Sequence, residues 1–107
     1  MVVKMRVIIK EPNKKAYITD IENELIPMQQ IVGGYIEALT YKDNCLIICN
    51  EEGKLRGLEP NIYYGTLDCI VGTIIVCGAD HETGEFVDVP VTLERFDDIV
   101  EKYKEEG

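Results

Sequence analysis

Ile31-Val-Gly-Gly-Tyr-Ile-Glu37 decides how the rest of the chain is read. Upstream, Met28, Ile31 and Val32 recur at spacings of three and four, the apolar face of a short helix. Pro27 fits only a first helical turn, so the spacing predicts a helix from about Pro27 to Val32. Asp20-Ile-Glu-Asn-Glu24 supplies carboxylates for its positive end. Gly33 ends it, because glycine takes the left-handed C-cap conformation without a Cβ clash. Tyr35 to Tyr41 then reads as a strand, with Tyr35, Glu37, Leu39 and Tyr41 on one face. Lys42-Asp-Asn44 is a hairpin turn. Cys45 to Asn50 is apolar on both faces and therefore central in a sheet. Glu51-Glu-Gly-Lys54 is a tight turn, with Gly53 expected at positive φ.

Working outward, Val2 to Lys10 and Ala16 to Ile21 read as a hairpin around the turn Glu11-Pro-Asn-Lys-Lys15. Leu55 to Leu58 reads as a short edge segment, and Glu59-Pro-Asn-Ile-Tyr-Tyr-Gly65 as a loop. Asp68 to Gly78 reads as one strong strand, interrupted at Gly72 by a bulge or a close backbone approach. Ala79 to Glu85 is a turn, and Phe86 to Val89 a brief pairing segment. Thr92 is an N-cap for a last helix whose stripe is Leu93, Phe96, Ile99, Val100 and Tyr103. Helices are few and do not alternate with strands. The fold class is α+β: a mostly antiparallel β-sheet with two helices packed on one face, residues 1–107 forming a single domain.

Twenty acidic residues against 11 basic give a net charge of −9. That balance opposes binding to nucleic acid or to an anionic membrane, since both need Lys and Arg. No apolar run approaches the roughly 20 residues that span a bilayer. Charges interrupt the apolar N-terminus and no small-residue cleavage site follows, so no signal peptide is read and a cytoplasmic location is expected. Cys45, Cys49, Cys69 and Cys77 form no Cys-x-x-Cys pair and read as free thiols. Cys45 and Cys49 share a face, and Cys69 and Cys77 share one if their strand is unbroken. A four-cysteine zinc site would need tightly spaced pairs at turns, so no metal is expected.

The chain has no serine and one histidine, His81, in a polar loop. A Ser-His-Asp triad is excluded, and a Cys-His pair would require a thiol from an apolar strand. Gly33-Gly34 follows a helix, whereas a phosphate loop precedes one. Asp80-His-Glu-Thr-Gly-Glu85 lacks the calcium-loop pattern. No catalytic set is present, and neither an enzyme nor a cofactor is expected.

Two features carry functional readings. Residues 80–107 hold ten acids and three bases, against ten and eight in residues 1–79. An acidic last helix reads either as a solvated outer face or as an imitation of a phosphate backbone that captures a DNA-binding protein. The second feature is a polar-aromatic cluster: Glu37, Asn50, Glu51, Lys54 and Asn61, with Tyr35, Tyr63 and Tyr64 and the permissive Gly34 and Gly57. A planar ligand wants such a mixture; a well-formed turn selects the same residues for backbone reasons.

Val32-Gly-Gly-Tyr-Ile-Glu37, then Cys49-Asn-Glu-Glu-Gly-Lys-Leu-Arg-Gly-Leu-Glu-Pro-Asn61, then Ile70-Val-Gly-Thr-Ile-Ile-Val76 resemble a family of small domains of unknown function, the domain of unknown function 3846 type. The resemblance covers nearly the whole chain. It departs mildly at Glu59-Pro60, where the family usually has two prolines. It implies a setting in phages and mobile elements and accessory roles such as countering host defence; it carries over no catalytic residue.

The expectation is a non-enzymatic, homo-oligomeric protein that binds a small nucleotide-like ligand through Gly34, Tyr35, Glu37, Asn50, Glu51, Lys54 and Asn61, with an anti-defence sequestering role implied by the resemblance. The alternative is an acidic inhibitor or DNA mimic acting on a host protein. Neither nucleic acid nor membrane is an expected partner.

Overall fold

The computed structural model describes residues 2–64 and 68–106, with side chains at all of these except 64 and 103–106. Gly65 and the side chains of Tyr64 and Tyr103, placed above in a loop, an aromatic cluster and a helical stripe, therefore lie outside the described residues.

Strand β1 (Lys4–Lys10) turns through residues 11–16 into β2 (Tyr17–Glu22). Asn13 takes φ 61° in that turn, the left-handed conformation asparagine tolerates. Helix α1 (Leu25–Val32) begins two residues earlier than expected, with Pro27 as its third residue, where a missing N–H costs no helical bond. Gly33 closes it at φ 82° and donates its N–H to the Gln29 carbonyl at 2.8 Å. Strand β3 (Ile36–Thr40) and β4 (Cys45–Asn50) are joined through Asp43 and Asn44, both at positive φ, as the right-handed twist of a hairpin favours. Then follow β5 (Pro60–Tyr64), β6 (Asp68–Val71), β7 (Ile74–Ala79), β8 (Phe86–Val87) and α2 (Leu93–Glu106). Thr92 caps α2 as expected, its hydroxyl accepting the Arg95 N–H at 3.1 Å.

Among the described residues the main sheet has the order β2-β1-β7-β4-β3, with β8 on β7, and every pairing in it is antiparallel. Strands β5 and β6 form a separate antiparallel hairpin. The class is α+β with a mostly antiparallel sheet. The helices, however, sit on opposite faces of that sheet rather than on one. The cause is that β1, β4 and β7 are apolar on both sides, so each side needs cover. Met28 and Val32 of α1 pack with Met5, Val7, Ile9, Ile48, Ile75 and Cys77. Phe96 and Ile99 of α2, joined by Ile62 and Ile70 of the β5–β6 hairpin, pack with Ile8, Cys45, Ile47, Cys49, Ile74 and Val76.

The structure corrects the reading of residues 55–78 in three places. Residues 55–58 form no edge strand: Arg56 donates to the Glu52 carbonyl, Gly57 to Lys54 and Leu58 to Gly53, a coil of successive turns. Residues 60–64 of the expected loop are β5. The expected single strand at 68–78 is two strands in two sheets. Gly72 separates them at φ 78°, and a Cβ there would stand 2.8 Å from Leu58 Cδ1. Positive φ in the 51–58 region belongs to Gly57 (68°), not to Gly53. Gly53 is required for proximity instead, since its Cβ would stand 2.8 Å from Val71 Cγ2.

Candidate functional site

Antiparallel pairing sets Glu37 opposite Cys49 and Leu39 opposite Ile47, so Glu37, Leu39 and Cys49 share the sheet face covered by α2 and the hairpin. The hairpin lies over this face with β5 against α2 and β6 towards β4. Between β6 and the β3–β4 face a cleft of about 250 Å³ remains, floored by the turn after β4. Leu39, Cys49, Ile70 and Val71 line its apolar part; Glu37, Glu51, Lys54 and Asp68 line its polar part.

Lys54 and Asp68 form an ion pair on the rim, each side chain about 60% exposed (63% and 59%). The hydrogen bond that Lys54 donates to Asp68 holds its ammonium above its ordinary pKa. The same bond, then the Cys69 N–H at 2.8 Å, holds the Asp68 carboxyl below the usual carboxylate range. Three carboxylates thus face one lysine that already has a partner. The cleft is acidic.

The seven residues expected to bind a ligand separate into two groups. Glu37, Asn50, Glu51 and Lys54 meet at the cleft. Gly34, Tyr35 and Asn61 are not among its lining. Tyr35 is 66% exposed. Gly34 lies against Asn50 and Arg56, where a Cβ would stand 2.9 Å from the Asn50 amide nitrogen. Asn61 holds backbone together: its amide donates to the Lys10 and Gly72 carbonyls, both at 2.8 Å. Asn50 does the same work even though it borders the cleft. It is 5% exposed, donates to the Val32 carbonyl at 3.2 Å and accepts the Glu52 N–H at 2.8 Å. Its polar atoms are engaged by α1 and the turn. Arg56 completes the junction by donating to the Gly33 carbonyl at 2.8 Å, a cation at a helix C-terminus.

Leu39, Cys49, Asp68, Cys69, Ile70 and Val71 were missed. The alternation that puts Leu39 with Glu37 was legible. The approach of β6 was not, because it depends on the chain leaving one sheet for another at the Gly72 bend.

The four thiols are divided between environments. Cys45 and Cys49 share the α2 face as expected, whereas Cys77 faces α1 and Cys69 lies on the hairpin. Burial, then Asp43, pushes the Cys45 thiol up to about 11; burial, then Glu37, pushes Cys49 up to about 11; burial, then Cys45, pushes Cys77 up to about 12. Cys69 is half-buried. Thiolate is the reacting form, so native protein at mild alkaline pH should release one rapid equivalent from a disulfide reagent and four after unfolding. Loss of the rapid equivalent in Cys69→Ser checks the assignment; a second rapid thiol in the parent contradicts it.

A family model described as Domain of unknown function (DUF3846) matches residues 5–105. The chain belongs to the DUF3846 family. No curated protein and no solved structure matches it. The three stretches that resemble DUF3846 meet in this fold at one junction. Val32 and Gly33 receive hydrogen bonds from Asn50 and Arg56, Gly53 lies against Val71, Gly72 lies against Leu58, and Asn61 bonds Gly72. In this DUF3846 member the motif residues therefore secure the crossing of α1, β4, β5 and β7, and the cleft opens beside that crossing. Among the described residues, no helix is long and apolar enough to cross a membrane.

Proposed function

We propose that this protein is a non-enzymatic binding protein whose cleft receives the ring of a small nucleotide-like ligand. The observation that carries the reading is convergence. Glu37, the turn residues Glu51 and Lys54, and Asp68, drawn from three separate segments of the chain, border one recess with apolar walls. About 250 Å³ is below the roughly 300–1,000 Å³ of sites for drug-sized ligands, so it suits one ring system with the remainder of the ligand outside. Glu37 and Glu51 would accept hydrogen bonds from exocyclic amino groups. Phosphates would stay at the mouth, where Lys54 is the cation and carboxylates predominate; nucleosides and lightly phosphorylated ligands are favoured over polyphosphates. The reading includes a homo-oligomer acting in the cytoplasm. In the phage setting that the family resemblance implies, such a site would sequester a host signal.

The test is thermal shift and native mass spectrometry across nucleosides, cyclic nucleotides and ADP-ribose derivatives. The expected result is a retained ligand mass and a raised melting temperature, both lost in Glu37→Gln/Glu51→Gln. Absence of either signal across the whole panel rejects the reading.

A second reading, the acidic inhibitor or DNA mimic, draws on α2. Burial, then the neighbouring carboxylates Glu94, Asp98 and Glu101, raises the Asp97 pKa, with Lys10 opposing. Carboxylates crowded on one exposed helix repel one another, which a cationic partner would relieve. Pull-down of host DNA-binding proteins with and without Asp97→Asn/Asp98→Asn/Glu101→Gln decides it; equal capture rejects it.

A further inference from the structure

Among the described residues the main sheet has two open edges, β2 and β3. They differ in how they are protected. Asn23 donates to the Val3 carbonyl at 2.9 Å, so in an antiparallel ladder the β2 residues that turn backbone groups outward are Ile18, Asp20 and Glu22. Two of these three are acidic, the usual defence of an exposed edge. On β3, Glu51 donates to the Tyr35 carbonyl at 2.8 Å and Tyr41 to the Cys45 carbonyl at 2.9 Å. By the same alternation Ile36, Ala38 and Thr40 turn their N–H and C=O groups out. None is charged, none is proline, and the ladder runs without a bulge from Ile36 to Thr40.

We propose that the open edge of β3 accepts an extended, basic segment of a partner polypeptide as an added strand. Backbone hydrogen bonds to Ile36, Ala38 and Thr40 would hold it. Its side chains would alternate between two surfaces. On one lies the acidic cleft mouth, with Glu37 on the strand itself and Glu51 and Asp68 nearby. On the other lie the side chains of Ile36, Ala38 and Thr40. A segment that alternates Lys or Arg with small apolar residues complements both. A second copy of this chain is the poorer occupant, because each copy carries −9 and self-pairing would bring Glu37 and Glu51 of two chains together. This inference goes beyond the nucleotide reading: it uses the backbone of β3 and not the depth of the cleft.

The probe is a fluorescein-labelled peptide of alternating lysine and valine, about six residues long to match a typical strand. Anisotropy at low ionic strength should show saturable binding. Ala38→Pro removes one outward N–H and no bond to β4, so the sheet should be retained; it should weaken binding about tenfold or more, through the lost bond and the blocked approach. The same peptide N-methylated at every residue keeps its charge but has no N–H on either edge and cannot pair as a strand, so it should not bind the parent protein. A glutamate-valine peptide should not bind either. Equal binding of the methylated and unmethylated peptides, or no binding of the unmethylated one, overturns the proposal. So does a parent dimer that Ala38→Pro dissociates in analytical ultracentrifugation, which would make the occupant a second copy. Ala38→Pro should leave the nucleoside thermal shift intact, whereas Glu37→Gln/Glu51→Gln should abolish it, so the two readings fail separately.

Discussion

Phe96→Ala should lower the stability of the protein by about 3–5 kcal/mol, the range for deleting a fully buried aromatic side chain. Phe96 is 0% exposed and stands where α2 meets the sheet and the hairpin, among Ile62, Ile70, Ile74 and Val76. Substitution removes apolar area and also leaves a cavity that three separate elements cannot all move to fill. A domain of this size has about 5–15 kcal/mol in total, so the variant stands near the edge of folding. With a urea slope of about 1–3 kcal/mol/M, the midpoint should fall by about 2 M. Phe96→Leu keeps most of the volume and should cost under about 1.5 kcal/mol. Equilibrium urea denaturation checks both. A loss below about 1 kcal/mol for Phe96→Ala would mean that α2 does not carry the second core.

Asn50→Asp should cost about 2–4 kcal/mol at neutral pH and should regain part of it in acid. The side chain is buried, its amide facing the Val32 carbonyl and its oxygen the Glu52 N–H. Aspartate keeps the shape and the second bond, but it turns a charged acceptor towards a carbonyl. Burial and that carbonyl raise the folded-state pKa of the new carboxyl above its unfolded value. Such a group binds more protons folded than unfolded, so stability rises as pH falls through the raised pKa, until the unfolded form protonates too. The protonated carboxyl can then donate to Val32. Asn50→Ala removes both bonds and should cost a similar amount with no acid recovery. Urea midpoints at neutral pH and at mildly acidic pH distinguish the two variants. If Asn50→Asp matched the parent at neutral pH, Asn50 would be a free cleft side chain and not a structural bond.

These two residues mark the boundary of what could be read in advance. Phe96 was legible as core because helical periodicity is local: Thr92, Leu93, Phe96 and Ile99 report it over eight residues. Asn50 was legible as polar and set at a strand end, and was assigned to a ligand. The same chemistry serves an unpaired helix carbonyl equally well, and only the position of α1 selects between them. Asn61 is placed in the same way, its amide nitrogen donating to the Lys10 and Gly72 carbonyls and its side chain standing apart from the cleft lining.

The sequence alone determined the helix caps at Gly33 and Thr92 and the two-sided apolar character of β4. Gly33 ends α1, Thr92 starts α2, and Cys45 to Asn50 is buried on both faces, each because backbone sterics and side-chain alternation act over a few residues. The tertiary structure decided what those faces meet. A strand buried on both sides demands two covers, but the pattern does not say which element covers which side. Gly72, where the chain bends at positive φ, sends residues 68–71 into the hairpin over β4 and residues 74–79 into the sheet. That bend lets β6 bring Asp68 to Lys54 beside the cleft, a contact between residues 14 apart in sequence that local periodicity does not encode.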